Sequence, residues 1–324
     1  MAFGRSGAGA APASELPSDA NRPDGPELIK AVPLRHPGRW VAAIVIIAAV
    51  VLVVYGAATN KRLYWSTYGS YLFDSRISTG AWVTLQLTVY SMLLGIALGV
   101  LLAVMRLSPN PVLKSTAWAY LWLFRGTPVY VQLVFWGLFT SIYPVLDIGV
   151  PFVHQFAHYN IQHLEAAFFF AFLGLGLNEA AYMAEIVRAG IGSVGEGQSE
   201  AATALGMSWP LTMRRIVLPQ AMRVIIPPTG NEVISMLKTT SLVIAVPLNS
   251  DLYSQAHQIS GVNYRPVPLL LVASTWYLVI TSILMVGQYF LEKYFARGSS
   301  RTMTKRQLQA LADAMGGAGR VEAP

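Results

Sequence analysis

The chain has 324 residues, of which only 12% are charged and 54% are hydrophobic, and its mean hydropathy is +0.48. This balance excludes an ordinary soluble domain and is typical of a multi-spanning membrane protein. The formal net charge is +7, and the absence of cysteine excludes disulfides, thiolate metal sites and a cysteine nucleophile.

The N-terminal segment 1–38 is rich in proline, glycine and alanine, and we expect it to be a disordered tail. A cleaved secretory signal is not expected, because the first apolar run begins only near residue 40, behind a long proline-, glycine- and alanine-rich tail, and no early apolar region follows a basic N-terminus.

Apolar runs that approach the length needed to cross a bilayer, about 20 residues, recur along the rest of the chain. Glu179 and Glu185 interrupt the fourth of these runs, and Glu232 and Lys238 the fifth. We therefore predict an all-α polytopic membrane protein with about six transmembrane helices. In chain order the predicted spans are 41–58, 81–105, 129–146, 166–186, 229–246 and 268–291.

The distribution of lysine and arginine predicts the orientation of these spans, since basic residues concentrate on the cytoplasmic side. With the N-terminus inside, the predicted outer loops hold only Lys61, Arg62, Arg76 and Arg265. Both termini are then cytoplasmic, residues 296–324 form a cytoplasmic tail, and residues 187–226 form a long cytoplasmic loop.

That loop has the local pattern of a helical hairpin. Ser199 is expected to cap a short helix, with Glu200 in its first turn, and Gly206 to end it. Ser208 and Pro210 are expected to start a second helix that stops before Pro219.

The spacing within the hairpin carries the functional inference. It runs Glu200-Ala201-Ala202, three residues, Gly206, nine residues, Ile216, one residue, Leu218-Pro219. This pattern resembles the EAA loop of ATP-binding-cassette (ABC) importer permeases. The resemblance implies a coupling helix that lies in a groove of a separate ATPase subunit. The implied coupling residues are Glu200, Ala201, Ala202, Leu205, Gly206, Met207, Ile216, Leu218 and Pro219.

Flanking motifs are similar to those of the polar amino acid permease group, over about residues 80–295. They are Arg125-Gly126-Thr127-Pro128 followed by Gln132, Ala181 to Arg188, Gly197-Gln198, Leu218 to Ala221, Pro227-Pro228 and Leu237 to Leu242. The resemblance implies a five-helix permease core at 81–295, to which residues 39–80 add an extra transmembrane helix and an outer loop. Thr239 departs from the group, which commonly has Asp there.

The same resemblance implies the partners: an ABC ATPase subunit, a second permease copy or a paralogue, an extracytoplasmic amino acid-binding protein and membrane lipid, with no nucleic acid. It places the chain in the bacterial plasma membrane, where it forms the translocation pathway for an amino acid. No cofactor is expected in this chain, and ATP and Mg²⁺ are expected on the ATPase. No Gly-Lys dipeptide occurs, so the chain has no phosphate-binding P-loop and is not expected to be an enzyme.

Polar residues within the predicted spans are candidates for lining the pathway, because such residues usually face a cavity or a partner helix. Glu185 and Arg188 also fit a structural ion pair, Lys238 fits either a substrate carboxylate or an internal pair with a glutamate, and Arg125 fits an interfacial anchor. The full candidate set is Asn178, Glu179, Glu185, Arg188, Lys238, Thr240 and Ser241.

Two further patterns favour simple structural interpretations. His154, His158 and His163 fall in an outer loop, and although the first two have a helical ligand spacing, no metal site is predicted. Gly95 and Gly99 are expected to mark close helix packing.

Two alternative functions also fit a polytopic membrane protein. A channel or ion-coupled amino acid transporter working alone has no need of the cytoplasmic hairpin. An intramembrane enzyme is disfavoured, because no catalytic constellation is evident at membrane depth.

Overall fold

The computed structural model describes residues 37–150, 154–160 and 166–295. It divides into two units, residues 1–60 and 61–324. In the first unit the described element is α1 (Pro37–Thr59), a helix of 23 mainly apolar residues. The predictions for the two terminal segments concern residues that the structure does not describe, 1–36 and 296–324.

The second unit is mainly helical. Its α-helices are α2 (Trp65–Tyr71), α3 (Ser75–Leu107), α4 (Pro111–Gly126), α5 (Val129–Ile142), α6 (Ala166–Gly192), α7 (Glu196–Ala204), α8 (Trp209–Thr212), α9 (Leu218–Thr239), α10 (Leu252–Asn263) and α11 (Pro266–Phe295). A π-helical segment, Met213–Val217, joins α8 to α9, and a 3₁₀ segment, Thr240–Ala245, follows α9.

Four described helices are long and apolar enough to cross a membrane: Gly38–Thr59, Ser75–Leu107, Ala167–Gly192 and Pro266–Phe295. Helix α5 is apolar but has only 14 residues, and α4 leads into it across Pro128. The polytopic all-α prediction is confirmed. The structure adds α4 and α10, two shorter helices that the hydropathy pattern did not predict.

A small antiparallel hairpin lies between α5 and α6. It pairs β1 (Val145–Val150) with β2 (His154–Asn160), and its register shifts between Ile148 and Gly149. His154 and His158 therefore lie on a strand, so their four-residue spacing does not belong to a helix. His163 lies outside the described residues.

Helices α3 and α6 form the central pair of the second unit, and glycine allows their backbones to approach closely. A Cβ atom placed on Gly99 would lie 2.5 Å from the Cβ of Met183, and one on Gly95 would lie 2.7 Å from the Cγ of Glu179. The predicted packing role of the two glycines is confirmed.

The main apolar core forms where α3, α5, α6 and α9 meet. Its fully buried side chains include Leu87, Leu133, Leu175 and Val243. A second cluster, which includes Ile77, Leu252 and Val272, joins the start of α3 to α10 and α11. These contacts fix the membrane helices from which the hairpin projects.

Several expected helix boundaries are wrong. Helix α7 begins at Glu196 with Gly195 as its N-cap residue, so Ser199 is not a cap and Glu200 is not in the first turn. The second hairpin helix does not stop before Pro219, because the π-helical segment carries it directly into α9.

The fifth span also differs from its expected bounds of 229–246. Helix α9 begins at Leu218 and ends at Thr239, and it contains Pro227 and Pro228 in its interior. Contacts from α11 support this proline segment: the side chain of Gln288 lies against Gly230 and donates a hydrogen bond to the Pro227 carbonyl at 2.8 Å.

Candidate functional site

The hairpin between α6 and α9 is closed by a glycine in a left-handed conformation. Gly206 has φ +74°, a value that an L side chain makes costly. Its amide donates to the Thr203 carbonyl at 2.9 Å, and the Met207 amide donates to the Ala202 carbonyl at 3.0 Å. These two bonds form a Schellman motif, which satisfies the last carbonyls of α7. The prediction that Gly206 ends the helix is confirmed.

The hairpin exposes large apolar side chains. Leu205 is 82% exposed and Trp209 is 70% exposed, and they follow each other around the glycine turn. Of the two motif alanines, Ala202 is buried within the hairpin whereas Ala201 is exposed beside Glu200. The motif therefore divides into residues that shape the turn and residues that are presented outward.

The second half of the motif lies where the hairpin joins α9. Val217 is buried, Ile216 is half-buried, and Leu218 and Pro219 are exposed in the first turn of α9. The side chain of Gln220 donates to the Ile216 carbonyl at 3.0 Å. These residues build a continuous helical connection from the hairpin into α9.

Helices α6 and α9 are in close contact where they meet the hairpin. Gly190 near the end of α6 packs directly against the side chain of Ile225 on α9. A Cβ on this glycine would also lie 3.3 Å from the Ala221 carbonyl. A force on the hairpin would thus act on both helices at once.

The expected ion pair at the end of α6 is present. Arg188 donates to Oε2 of Glu185 through Nη2 at 2.6 Å and through Nε at 3.0 Å. The two side chains are 44% and 23% exposed for Arg188 and Glu185, so the pair lies at a partly exposed surface. Each residue is occupied by the other, which fits a structural pair.

Asn178 is part of a hydrogen-bond network that holds the break between α4 and α5. Its Nδ2 donates to the Phe124 carbonyl and to Oε1 of Gln132, both at 3.1 Å. Gln132 in turn donates to the Thr127 hydroxyl at 2.7 Å. Tyr120 adds a bond to the Leu177 carbonyl at 2.8 Å. The network ties α6 to the Arg-Gly-Thr-Pro turn.

Glu179 lies one residue further along α6, on its buried side. It is only 5% exposed, and its Oε1 has no hydrogen-bond partner among the residues that the structure describes. The half-buried carboxylate of Glu232 on α9 acts on it electrostatically. Two acidic groups therefore lie near one another at membrane depth, and no described cation pairs with either.

Helix α9 presents a polar face. Asn231, Ser235 and Lys238 follow one another at helical spacing, and all three are exposed. Within the described ranges Lys238 forms no ion pair, so the expected internal pair with a glutamate is absent there. Exposed polar groups on a helix of this depth face a cavity, a partner or water.

Thr240 and Ser241 bond mainly to the backbone. The hydroxyl of Thr240 donates to the Leu237 carbonyl at 2.6 Å and is fully buried, 3.5 Å from the Tyr277 hydroxyl. Ser241 donates to the Lys238 carbonyl at 2.8 Å. Both hydroxyls therefore help to end α9.

The sequence interpretation missed a buried polar cluster beneath α10. Asp251 is fully buried and accepts a hydrogen bond from the Ser254 amide at 3.1 Å, which caps α10. The Leu252 amide donates to the Thr84 hydroxyl on α3, also at 3.1 Å. An aspartate directly before an amphipathic segment was the available sign of this cap.

Comparison with known proteins identifies relatives over most of the chain. It is 59% identical over 305 residues to ArgU, an arginine transport system permease protein of Corynebacterium glutamicum, covering 92% of this chain and 95% of that one. It is 34% identical to HisM, a histidine/lysine/arginine/ornithine transport system permease protein of Escherichia coli, covering 69% and 88%.

Solved structures agree with this relationship. The fold is similar to that of an amino acid ABC transporter crystallised with histidines, at 31% identity and a TM-score of 0.59, covering 73% of this chain and 99% of the other. The methionine transporter MetNI shares the fold alone, at 19% identity and a TM-score of 0.53 over 68% of this chain and 97% of the other. Residues 95–297 match the model of the binding-protein-dependent transport system inner membrane component. The chain therefore belongs to this family of multi-pass membrane permeases.

Proposed function

We propose that this chain is the permease subunit of an ABC importer for an amino acid with a positively charged side chain, such as arginine. ATP and Mg²⁺ bind to a separate ATPase subunit, and two permease chains, either two copies or this chain with a paralogue, enclose the pathway. One observation carries the part of this proposal that concerns the ATPase: the turn at Gly206 holds Leu205 and Trp209 as exposed side chains on an ordered hairpin.

Exposed apolar side chains on a rigid turn are the anchors that a protein partner buries most effectively. The close contact of Gly190 with Ile225 supports the mechanism, because movement of a docked hairpin would be transmitted to α6 and α9 together. The role of the other motif residues follows from their positions: Ala202 shapes the hairpin, and Ile216 to Pro219 join it to α9.

The proposed orientation places the hairpin and both termini in the cytoplasm, and the β1–β2 hairpin and α10 outside. The concentration of basic residues on the hairpin side supports it. An extracytoplasmic binding protein would then deliver cargo at the α10 end of the permease.

The cargo proposal rests on relationship and on charge. ArgU and HisM are named for transport systems of basic amino acids. Glu232, half-buried on α9, offers an acidic group at membrane depth to which a cationic side chain can bind. Asn231, Ser235 and Lys238 supply a polar face, and the Lys238 ammonium suits the carboxylate that every amino acid carries.

Co-purification tests the coupling half. Leu205→Asp places a charge on the proposed docking surface without filling any space in the fold, and we expect it to abolish recovery of the ATPase with the permease. Val262→Asp on α10 is the matched control, because Val262 is 83% exposed and Leu205 is 82% exposed. Equal recovery of the ATPase with both variants would contradict docking at the hairpin.

Uptake into liposomes that contain the assembled transporter and its binding protein tests the cargo half. We expect ATP-dependent uptake of arginine, and a selective loss of arginine uptake in Glu232→Gln while the ATPase remains bound. Uptake of neutral or acidic amino acids in place of arginine would refute the cargo class. Uptake by the permease chain alone would instead support an ion-coupled transporter or channel.

A further inference from the structure

We infer that the surface between the end of α3, helix α4 and α6 is a binding site for the phosphate headgroup of an anionic phospholipid. An open cavity of about 340 Å³ lies there. It is lined by Arg106, Trp118, Leu121, Trp122, Arg125, Gly126 and Glu185. This inference depends neither on the cargo nor on the ATPase.

The cavity carries an excess of positive charge. Its one acidic residue, Glu185, already pairs with Arg188 at 2.6 Å. Arg106 and Arg125 have no carboxylate partner among the residues that the structure describes, so two guanidinium groups remain to be neutralised. Planar guanidinium groups bind phosphate oxygens through paired N–H donors, which makes a phosphate the complementary ligand.

The position of Arg125 shows how its charge reaches this cavity. The Phe124 carbonyl, one residue earlier, accepts a hydrogen bond from Asn178 on α6. The Arg125 guanidinium, however, lies 5.5 Å above the ring of Tyr182, one helical turn nearer the hairpin end of α6. The side chain therefore extends along α6 toward the end of α3, where Arg106 lies in the last turn. A long basic side chain bends in this way to bring its charge toward the headgroup region.

Two tryptophans mark this surface as a membrane interface. Trp118 and Trp122 are stacked with ring centroids 6.4 Å apart and planes at 12°, and they are 54% and 66% exposed. Indole rings concentrate at the level of lipid headgroups, where one part of the ring is apolar and the N–H is hydrated. The pair lies on the exposed side of α4, next to Ala117 and Leu121, which pack against α6.

Charge and surroundings together specify the ligand. An acyl chain would leave both guanidinium groups without a partner, a zwitterionic phospholipid would bring a second cation to a site with an excess of positive charge, and a free anion would not use the exposed tryptophan pair. An anionic phospholipid satisfies both features, since its phosphate meets the arginines and its glycerol and acyl region covers the indole rings.

Native mass spectrometry of the purified transporter, titrated with phosphatidylglycerol or phosphatidylcholine, tests the inference. We expect wild type to retain phosphatidylglycerol in preference to phosphatidylcholine. Replacing both arginines, by Arg106→Gln and Arg125→Gln, should weaken phosphatidylglycerol binding by about 30-fold, since each basic residue near an anionic surface contributes about fivefold. Lys114→Gln is the matched control, because this exposed lysine is on α4 but outside the cavity.

Three outcomes would overturn the site. Equal retention of the two lipids by wild type would remove the charge argument, even if the double variant fails to assemble. Displacement of phosphatidylglycerol by inorganic phosphate at millimolar concentration would indicate a free-anion site. Efficient disulfide cross-linking between two copies of the Trp122→Cys variant would show that a second permease chain covers this surface.

Discussion

At the scale of single residues, glycine determines where two helices of this permease can touch. Gly99 on α3 has the Met183 Cβ where its own Cβ would be, whereas Gly287 on α11 has nothing within 4 Å. Both residues are inside long apolar helices. Comparing substitutions at Gly99 and Gly287 therefore separates the effect of close packing from the intrinsic helix preference of glycine.

We predict that Gly99→Ala destabilises the folded permease by about 1–3 kcal/mol, because the added methyl group must push α3 away from α6. Gly287→Ala should be neutral or stabilising by up to about 1 kcal/mol, since alanine favours the helix and the space is open. Thermal unfolding of the two variants in the same detergent measures the difference. A lower midpoint for Gly287→Ala than for Gly99→Ala would contradict the packing assignment.

Asp251 is a second residue whose environment gives a directed prediction. Burial raises the pKa of its carboxyl above the ordinary value of 3.8, and its hydrogen bonds with Ser254 oppose that shift only in part. A carboxyl with a raised pKa in the folded state favours folding when protonated. The contribution of Asp251 to the free energy of unfolding is therefore fully present below the pKa of this carboxyl in the unfolded chain. It is lost as the pH rises through the pKa of the carboxyl in the folded protein.

Asp251→Asn keeps a side chain that can cap α10 and removes the charge. We predict that the stability of this variant relative to wild type increases as the pH rises above about 4, where the unfolded carboxyl ionises, and then levels off. Thermal midpoints of both proteins between acidic and neutral pH measure this difference. A difference between the two thermal midpoints that is the same at every pH would contradict a raised pKa for the Asp251 carboxyl.

Some of these residues could be predicted from sequence and some could not. Gly206, Gly95 and Gly99 were correctly assigned, because a glycine after a short helix or on one helix face has a local physical meaning. The hydrogen bond between Leu252 and Thr84 joins residues 168 positions apart, and no local sequence pattern predicts it. Depth alone makes Asn178 a candidate for facing a cavity or a partner helix, and its bonds to the turn before α5 are a contact that depth does not specify.

At the scale of elements, the unexpected feature is the continuous helix from Trp209 to Thr239. The sequence predicts a helix end before Pro219 and a separate span that begins at residue 229, directly after Pro227 and Pro228. Proline usually ends a helix because it lacks an amide donor and clashes with the preceding turn. Here the π-helical segment before Pro219 and the contacts of Gln288 with Pro227 and Gly230 accommodate these costs. Contacts between distant helices override the local preference.

This continuity makes the first turns of α9 a rigid link between the hairpin and the rest of that helix. Deletion of the exposed Arg223, in the α-helical part of this link, should rotate the hairpin by about 100° and shift it by about 1.5 Å relative to the rest of α9, because each α-helical residue contributes that amount. We predict loss of transport while the separate ATPase retains its basal ATP hydrolysis. Arg223→Ala, which removes the side chain and keeps the register, should transport normally.

An assay of uptake and ATP hydrolysis in the same liposomes distinguishes these results. Normal uptake by the deletion variant would contradict a rigid link, since the hairpin would then be free to reorient without consequence. Equal loss in both variants would instead assign the effect to the Arg223 side chain.

Hydropathy predicted the long apolar helices but not α4 or α10. Helix α4 has only 16 residues and includes Lys114, Ser115, Thr116 and Arg125, so it has no apolar run long enough to cross a membrane. Helix α10 is short and polar for its length. Such elements become stable through their neighbours: α4 packs on α6 through Ala117 and Leu121, and α10 packs on α3 and α11 through Leu252.

At the scale of the whole molecule, the permease core combines a membrane-embedded helix bundle with one projecting hairpin that exposes apolar residues. The proposed separate ATPase subunit would account for the absence of a Gly-Lys dipeptide, and hence of a P-loop, from this sequence. The account therefore depends on the hairpin lying in the cytoplasm and touching that subunit.

Cysteine labelling of Leu205 tests this claim most directly. The natural chain contains no cysteine, so Leu205→Cys provides a unique thiol at the tip of the hairpin. We predict that a membrane-impermeant maleimide labels it in inside-out vesicles stripped of the ATPase, that added ATPase protects it, and that intact cells or spheroplasts show no labelling. Labelling from the outside, or unchanged labelling in the presence of bound ATPase, would contradict the account.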